Sequence, residues 1–125
     1  MRELGPVLAP ARVVAALDVG WVGAISDAHI VDLAGITDPS VASLPGGHTS
    51  KRIPPSFLRA RRVDHLVMLL RPGSAANEPW PDSALRAQVE VFALRQAREI
   101  GFSVVGAAPV GQSGRYVVLK LRNGG

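Results

Sequence analysis

Residues 46–52 read Gly-Gly-His-Thr-Ser-Lys-Arg. The two glycines let backbone N–H groups point inward, while His48, Thr49, Ser50, Lys51 and Arg52 add donors and positive charge. That chemistry suits a phosphate, a carboxylate or a sugar. The spacing GxxxxGK[ST] is missing and Lys51 follows Ser50, so this is not a Walker A loop. The alternative is a solvated loop in which Arg52 holds one of the aspartates. Three carboxylates lie upstream. Asp18 ends an apolar run, where a charge is costly unless hydrogen-bonded. It either accepts N–H groups of its own turn or faces the hydroxyls of a sugar. Asp32, between Val31 and Leu33, either pairs inside the fold, for instance with an arginine, or faces the same ligand. Asp38, before Pro39, is either a helix-entry cap or a further ligand contact. Trp21, flanked by Gly20 and Gly23, either plugs the core or stacks on the ligand.

These residues must be carried by elements that the apolar pattern marks out. Arg12–Asp18 (RVVAALD) is a nearly continuous apolar run, the pattern of a strand buried on both faces. Gly20 and Gly23 suggest a tight turn or one helical turn after it. His29–Leu33 forms a second strand, and Thr37-Asp38-Pro39 starts a short helix that ends near Leu44. Pro54-Pro55-Ser56 opens another short helix through Arg61, and Val63–Leu70 is a third strand. Asp82 or Ser83 caps the longest helix. Leu85, Val89, Phe92, Gln96 and Ile100 fall near one of its faces, with Gln96 the one polar member. Arg86/Glu90 and Arg95/Glu99 have the spacing of i,i+4 pairs, and Gly101 stops the helix. Phe102–Val110 and Arg115–Arg122 are strands joined by Gly-Gln-Ser-Gly, a hairpin signal.

Strands alternating with helices predict an α/β fold: a mostly parallel sheet of about five strands flanked by helices, with a C-terminal antiparallel hairpin. Residues 1–10 read as a lead-in segment and residues 11–123 as a single α/β domain. Ligands of open α/β sheets gather outside the carboxyl ends of the parallel strands, which draws the segments after Asp18, Asp32 and Leu70 together.

Composition narrows the chemistry. The 125 residues are 47% hydrophobic and 19% charged, which argues for one folded domain and against disorder. There is no cysteine, so no disulfide framework and no Cys-rich metal site. His29, His48 and His65 lack metal-ligand spacing, no GxSxG elbow exists, and the stretch from Asp18 to Gly23 holds only GxxG. No cofactor, no metal and no catalytic residue is therefore expected, and His65 reads as a satisfied sheet histidine. The net charge is +4, and its one dense cluster is Lys51, Arg52, Arg59, Arg61 and Arg62. With only 5% aromatics and no recognised motif, no nucleic-acid partner is expected. The longest apolar stretch, Val7 to Ile25, is broken by Arg12 and Asp18, so no transmembrane segment is expected. The first residues lack the apolar core of a signal peptide.

Ala16-Leu17-Asp18-Val19-Gly20-Trp21-Val22-Gly23, then Ile30-Val31-Asp32-Leu33-Ala34-Gly35-Ile36-Thr37-Asp38-Pro39, form two adjacent motifs. With Arg61-Arg62-Val63-Asp64-His65-Leu66-Val67 further on, they resemble the C-terminal soluble part of bacterial polytopic membrane glycosyltransferases. Those enzymes, mannosyl- and arabinofuranosyltransferase-like members among them, use sugars carried on polyprenyl phosphate. The resemblance covers residues 12–70 and matches the remainder by element order. It implies a non-catalytic soluble domain that assists binding of a glycan acceptor or a lipid-phosphate sugar. The implied partners are that glycan or polyprenyl-phosphate sugar, bound weakly, and a membrane-embedded glycosyltransferase portion. The implied location is the extracytoplasmic face of the bacterial inner membrane, with a cytoplasmic location for the chain expressed alone. Asp18, Trp21, Asp32 and Asp38 occupy the motif positions, and Gly46 to Arg52 lies in the loop beyond them. Two rival readings stand beside this one: a small free-standing α/β enzyme acting on a phosphorylated or anionic substrate, and a protein-interaction module.

Overall fold

A computed structural model describes residues 4–16, 19–33, 56–70, 88–109 and 115–122. The short apolar run Val13–Ala16 forms β1 at the centre of the parallel part of the sheet. It pairs in parallel with β2 (His29–Asp32) on one side and β3 (His65–Leu70) on the other. β4 (Phe102–Pro109) and β5 (Arg115–Leu121) form an antiparallel pair. The second of these strands, not the first, lies against β3, giving the order β2-β1-β3-β5-β4.

The sheet is therefore mixed, and the expectation of a mostly parallel α/β sheet is corrected. β3 pairs antiparallel to β5 along its whole length, and β5 does the same with β4, whereas the parallel ladders run only over the four residues of β1. The physical reason lies in connection length. A parallel neighbour needs a crossover, while the hairpin closes locally and can extend its strands to seven and eight residues. Helical cover is also short. Among the described residues the helices are α1 (Gly5–Leu8), α2 (Val19–Ile25), α3 (Phe57–Ala60) and α4 (Gln88–Ile100), of which α4 alone exceeds two turns.

Alternation along the strands divides the core between two faces. Ala15, Val31, Leu66, Met68, Val117 and Leu119 point to one face, which α3 and α4 cover with Phe57, Leu58, Ala93, Leu94 and Ala97. Gln96 is the polar residue on this apolar stripe, and its place is structural: its Oε1 accepts the Leu58 N–H at 3.2 Å, in the first turn of α3. α3 has no side-chain cap from Ser56, so a neighbouring helix satisfies one of its orphan donors instead. Arg95 and Glu99 are both exposed, and no ion pair joins them. The expected helix start at residues 82–83 and Leu85 lie outside the described residues. Gly101, at φ +97°, ends α4 in the left-handed region, where glycine carries no Cβ penalty.

On the other face, Val14, Ala16, Val67, Ala108, Tyr116 and Val118 are covered by α1 and α2 through Leu4, Leu8 and Val22. Within residues 4–8, Leu4 and Leu8 thus pack against the sheet. Leu4 and Leu8 are i,i+4 neighbours, each essentially fully buried and worth about 1.5–3 kcal/mol in transfer energy. The close seat for α1 is Gly106, where a Cβ would meet a Val7 methyl at 3.0 Å. A bulge between Val104 and Gly106 in the edge strand accompanies this approach. α2 makes two turns where the glycines suggested a turn or a single one.

Candidate functional site

The parallel pairing points β1, β2 and β3 the same way, so Ala16, Asp32 and Leu70 all end at one rim. β4, antiparallel to β5 as β3 is, also ends there, at Pro109. β1 has β2 on one side and β3 on the other, so the parallel part of this mixed sheet has a topological switch point at this rim, the position at which open α/β sheets bind ligands.

Of the sequence-predicted set, Asp32 is the residue whose side chain is described. It is 1% exposed, ends β2 and shares a face with Ala16, the face that α2 covers. It is a partnered carboxylate, in keeping with the cost of burying one alone. Trp21 falls in α2, which begins three residues beyond β1. Its side chain lies outside the described residues, as do Asp18, Asp38, His48, Ser50, Lys51 and Arg52.

The opposite rim carries a cluster that sequence reasoning missed. Asp64 lies just before β3, 52 residues from Arg12, and its carboxylate accepts the Arg12 N–H at 3.0 Å. It also accepts the Val13 N–H at 3.4 Å and, since a carboxylate can only accept, the His65 Nδ1–H at 2.7 Å. Its backbone joins both neighbouring strands: Asp64 N–H donates to the Val13 carbonyl and Leu121 N–H donates to the Asp64 carbonyl. The sequence signal was an acid-histidine dipeptide at a strand start, which does not name its distant partner.

An aspartate-bound histidine is also the arrangement of a general base, so the other ring nitrogen decides the reading. His65 is 1% exposed, and its Nε2 is buried with no hydrogen-bond partner. A base must reach the proton it takes, and this nitrogen faces the interior on the α1 side of the sheet. The pair is a structural tie. The sheet histidine expected from sequence is satisfied at Nδ1 and unsatisfied at Nε2 among the described residues.

A groove of about 290 Å³ lies between α3 and α4, lined by Ser56, Arg59, Gln96, Glu99 and Ile100. It is on the other face of the sheet from Asp32 and carries one cation and one anion. Among the described residues no three His, Asp or Glu side chains gather as a metal site. No helix among them is long and apolar enough to cross a membrane.

Fold and rims together define a small mixed-sheet domain with short helices on both faces and a strand-end rim at a switch point. Residues 2–118 match the family model described as Domain of unknown function (DUF8728), and the chain belongs to that family. No curated protein and no solved structure matches the chain.

Proposed function

We propose that this domain is a non-catalytic binding module that helps to hold a glycan acceptor or a lipid-phosphate sugar beside a membrane-embedded glycosyltransferase portion. The observation that carries the reading is the shared direction of β1 to β4, whose carboxyl ends all meet one rim. In the chain Asp18 comes shortly after β1, Asp38 comes after β2, and residues 46–52 come further on before α3. Acceptors for sugar hydroxyls and donors for a phosphate are thus carried on the segments that leave these two strands. The likeness of the motifs at residues 16–23 and 30–39 to the soluble part of polyprenyl-phosphate-dependent enzymes supplies the ligand class. The same likeness supports a location on the extracytoplasmic face. A binding role rather than a catalytic one is favoured because the His65 Nε2 of the described Asp64–His65 pair is buried at the opposite rim.

Calorimetric titration of the full chain with a short isoprenyl phosphate, and separately with oligosaccharides, tests the reading. Saturable binding at millimolar ligand is expected, weakened about tenfold by Lys51→Ala or Arg52→Ala through loss of a charge-assisted hydrogen bond. No heat with either ligand, or unchanged affinity in both variants, removes the proposal.

A further inference from the structure

The base of the sheet, at the strand starts, gathers cations from separate segments. Arg12 precedes β1, Arg62 follows α3, and Lys120 and Arg122 end β5 and follow it, with Arg59 one turn earlier on α3. The register brings these segments to one edge: Val13 pairs with His29, Lys120 with His65, and Arg122 N–H donates to the Gly101 carbonyl. All five side chains are exposed, and among the described residues none makes an ion pair. Arg61 and Arg98 stand nearby on α3 and α4 with partners of their own, Arg61 over the Phe57 ring at 5.6 Å. The acids of this edge are Asp27, Asp64 and Glu99. Asp64 is committed to backbone N–H groups and His65, which leaves two exposed carboxylates against five unpaired cations.

Arg62 adds a second observation. α3 closes with the Val63 N–H on the Leu58 carbonyl and the Arg62 N–H on the Arg59 carbonyl, the paired bonds of a Schellman turn. Arg62 holds its left-handed position at φ +56°. Glycine fits that conformation without strain, and an L side chain does not. An exposed arginine therefore stands where the backbone alone favours a residue with no side chain, and such outliers point to function.

We propose that this edge docks on an anionic lipid surface. Arg12, Arg62, Lys120 and Arg122 are spread over the ends of separate strands and of α3, and Arg59 also lines the groove between α3 and α4; that spread matches a plane of headgroup phosphates. Phe57, Phe102 and Tyr116 are buried and Phe92 is half-buried against the core, so the described side chains offer no exposed aromatic platform of the kind single-stranded nucleic acids stack on. Each basic residue near such a surface contributes about a fivefold gain in binding. The edge lies across the sheet from Asp32, so this proposal and the glycan reading fail independently.

Co-sedimentation of the full chain with phosphatidylcholine vesicles, with and without phosphatidylglycerol, tests it, with thermal melts to verify folding. Binding is expected only with phosphatidylglycerol and falls as salt rises. Arg62→Gly and Arg122→Gln each lower it about fivefold, while Arg62→Lys retains it. Equal binding to neutral vesicles, no binding to either, or no change in Arg62→Gly and Arg122→Gln overturns the proposal. So does equally tight retention on single-stranded DNA, which indicates a general polyanion site, or displacement by millimolar inorganic phosphate, which indicates a site for a small anion.

Discussion

The two ends of the sheet use their carboxylates differently. At the base, Asp64 is three-quarters covered and spends its oxygens on the N–H groups of Arg12 and Val13 and on His65. It joins the entry of β1 to that of β3. At the opposite rim, Asp32 is fully covered at the end of β2, beside a switch point. The base carboxylate does the work of a cap, and among the described residues Arg12, Arg59, Arg62 and Arg122 form no ion pair with it. The rim carboxylate is placed where the parallel strands release the chain into its glycine- and charge-bearing segments. Both acids are thus partnered, Asp64 by backbone N–H groups and His65, and Asp32 within its covered strand end. What separates them is position relative to strand direction, and the proposed ligand reading rests on that position.

The largest effect that breaks this contrast comes from Asp64→Ala. It leaves part-buried donors at Val13 and His65 and an exposed one at Arg12 without their acceptor and lowers unfolding free energy by about 2–3 kcal/mol, read as a lower urea midpoint. Ligand affinity at the other rim stays unchanged below the melt. A loss of glycan binding in a folded Asp64→Ala protein would mean that the two ends are not separate. A smaller change of opposite sign sharpens the contrast. Arg62→Gly relieves the left-handed strain, partly offset by the flexibility that glycine adds to the unfolded chain, and raises stability by about 0.5–1 kcal/mol. A lower melting temperature in that variant would show that the arginine side chain packs for stability.

Much of this was legible in the chain. Continuous apolar runs marked β1 and β3, and the stretch ending at Gly101 marked α4, because burial on two faces or on one stripe leaves a period in the sequence. The polar Gln96 on the apolar stripe was visible, though its partner, the Leu58 N–H, was not. Sheet order was illegible for a physical reason. Either strand of a hairpin can pair with β3, and helix–strand alternation does not say that β5 takes that place. α1 was missed because two leucines four apart are too few to reveal a face, and its seat depends on Gly106, about a hundred residues away in the chain. Arg62 carried no glycine or asparagine signal for its left-handed turn. Of the ligand-facing candidates, Asp32 is located at the expected rim, and its burial and its partner are properties of three-dimensional packing that no local pattern encodes.

The account turns on ligand entering at the carboxyl ends of β1, β2 and β3. Amide-resolved ¹H–¹⁵N spectra of the full chain, titrated with an isoprenyl phosphate and then with an oligosaccharide, test this most directly. Shifts concentrated at Ala16, Asp32, Leu33 and Leu70, with Arg12, Asp64 and Leu121 unmoved, are the expected result. Shifts confined to the Arg12–Asp64–Leu121 edge, or none at saturating ligand, contradict it.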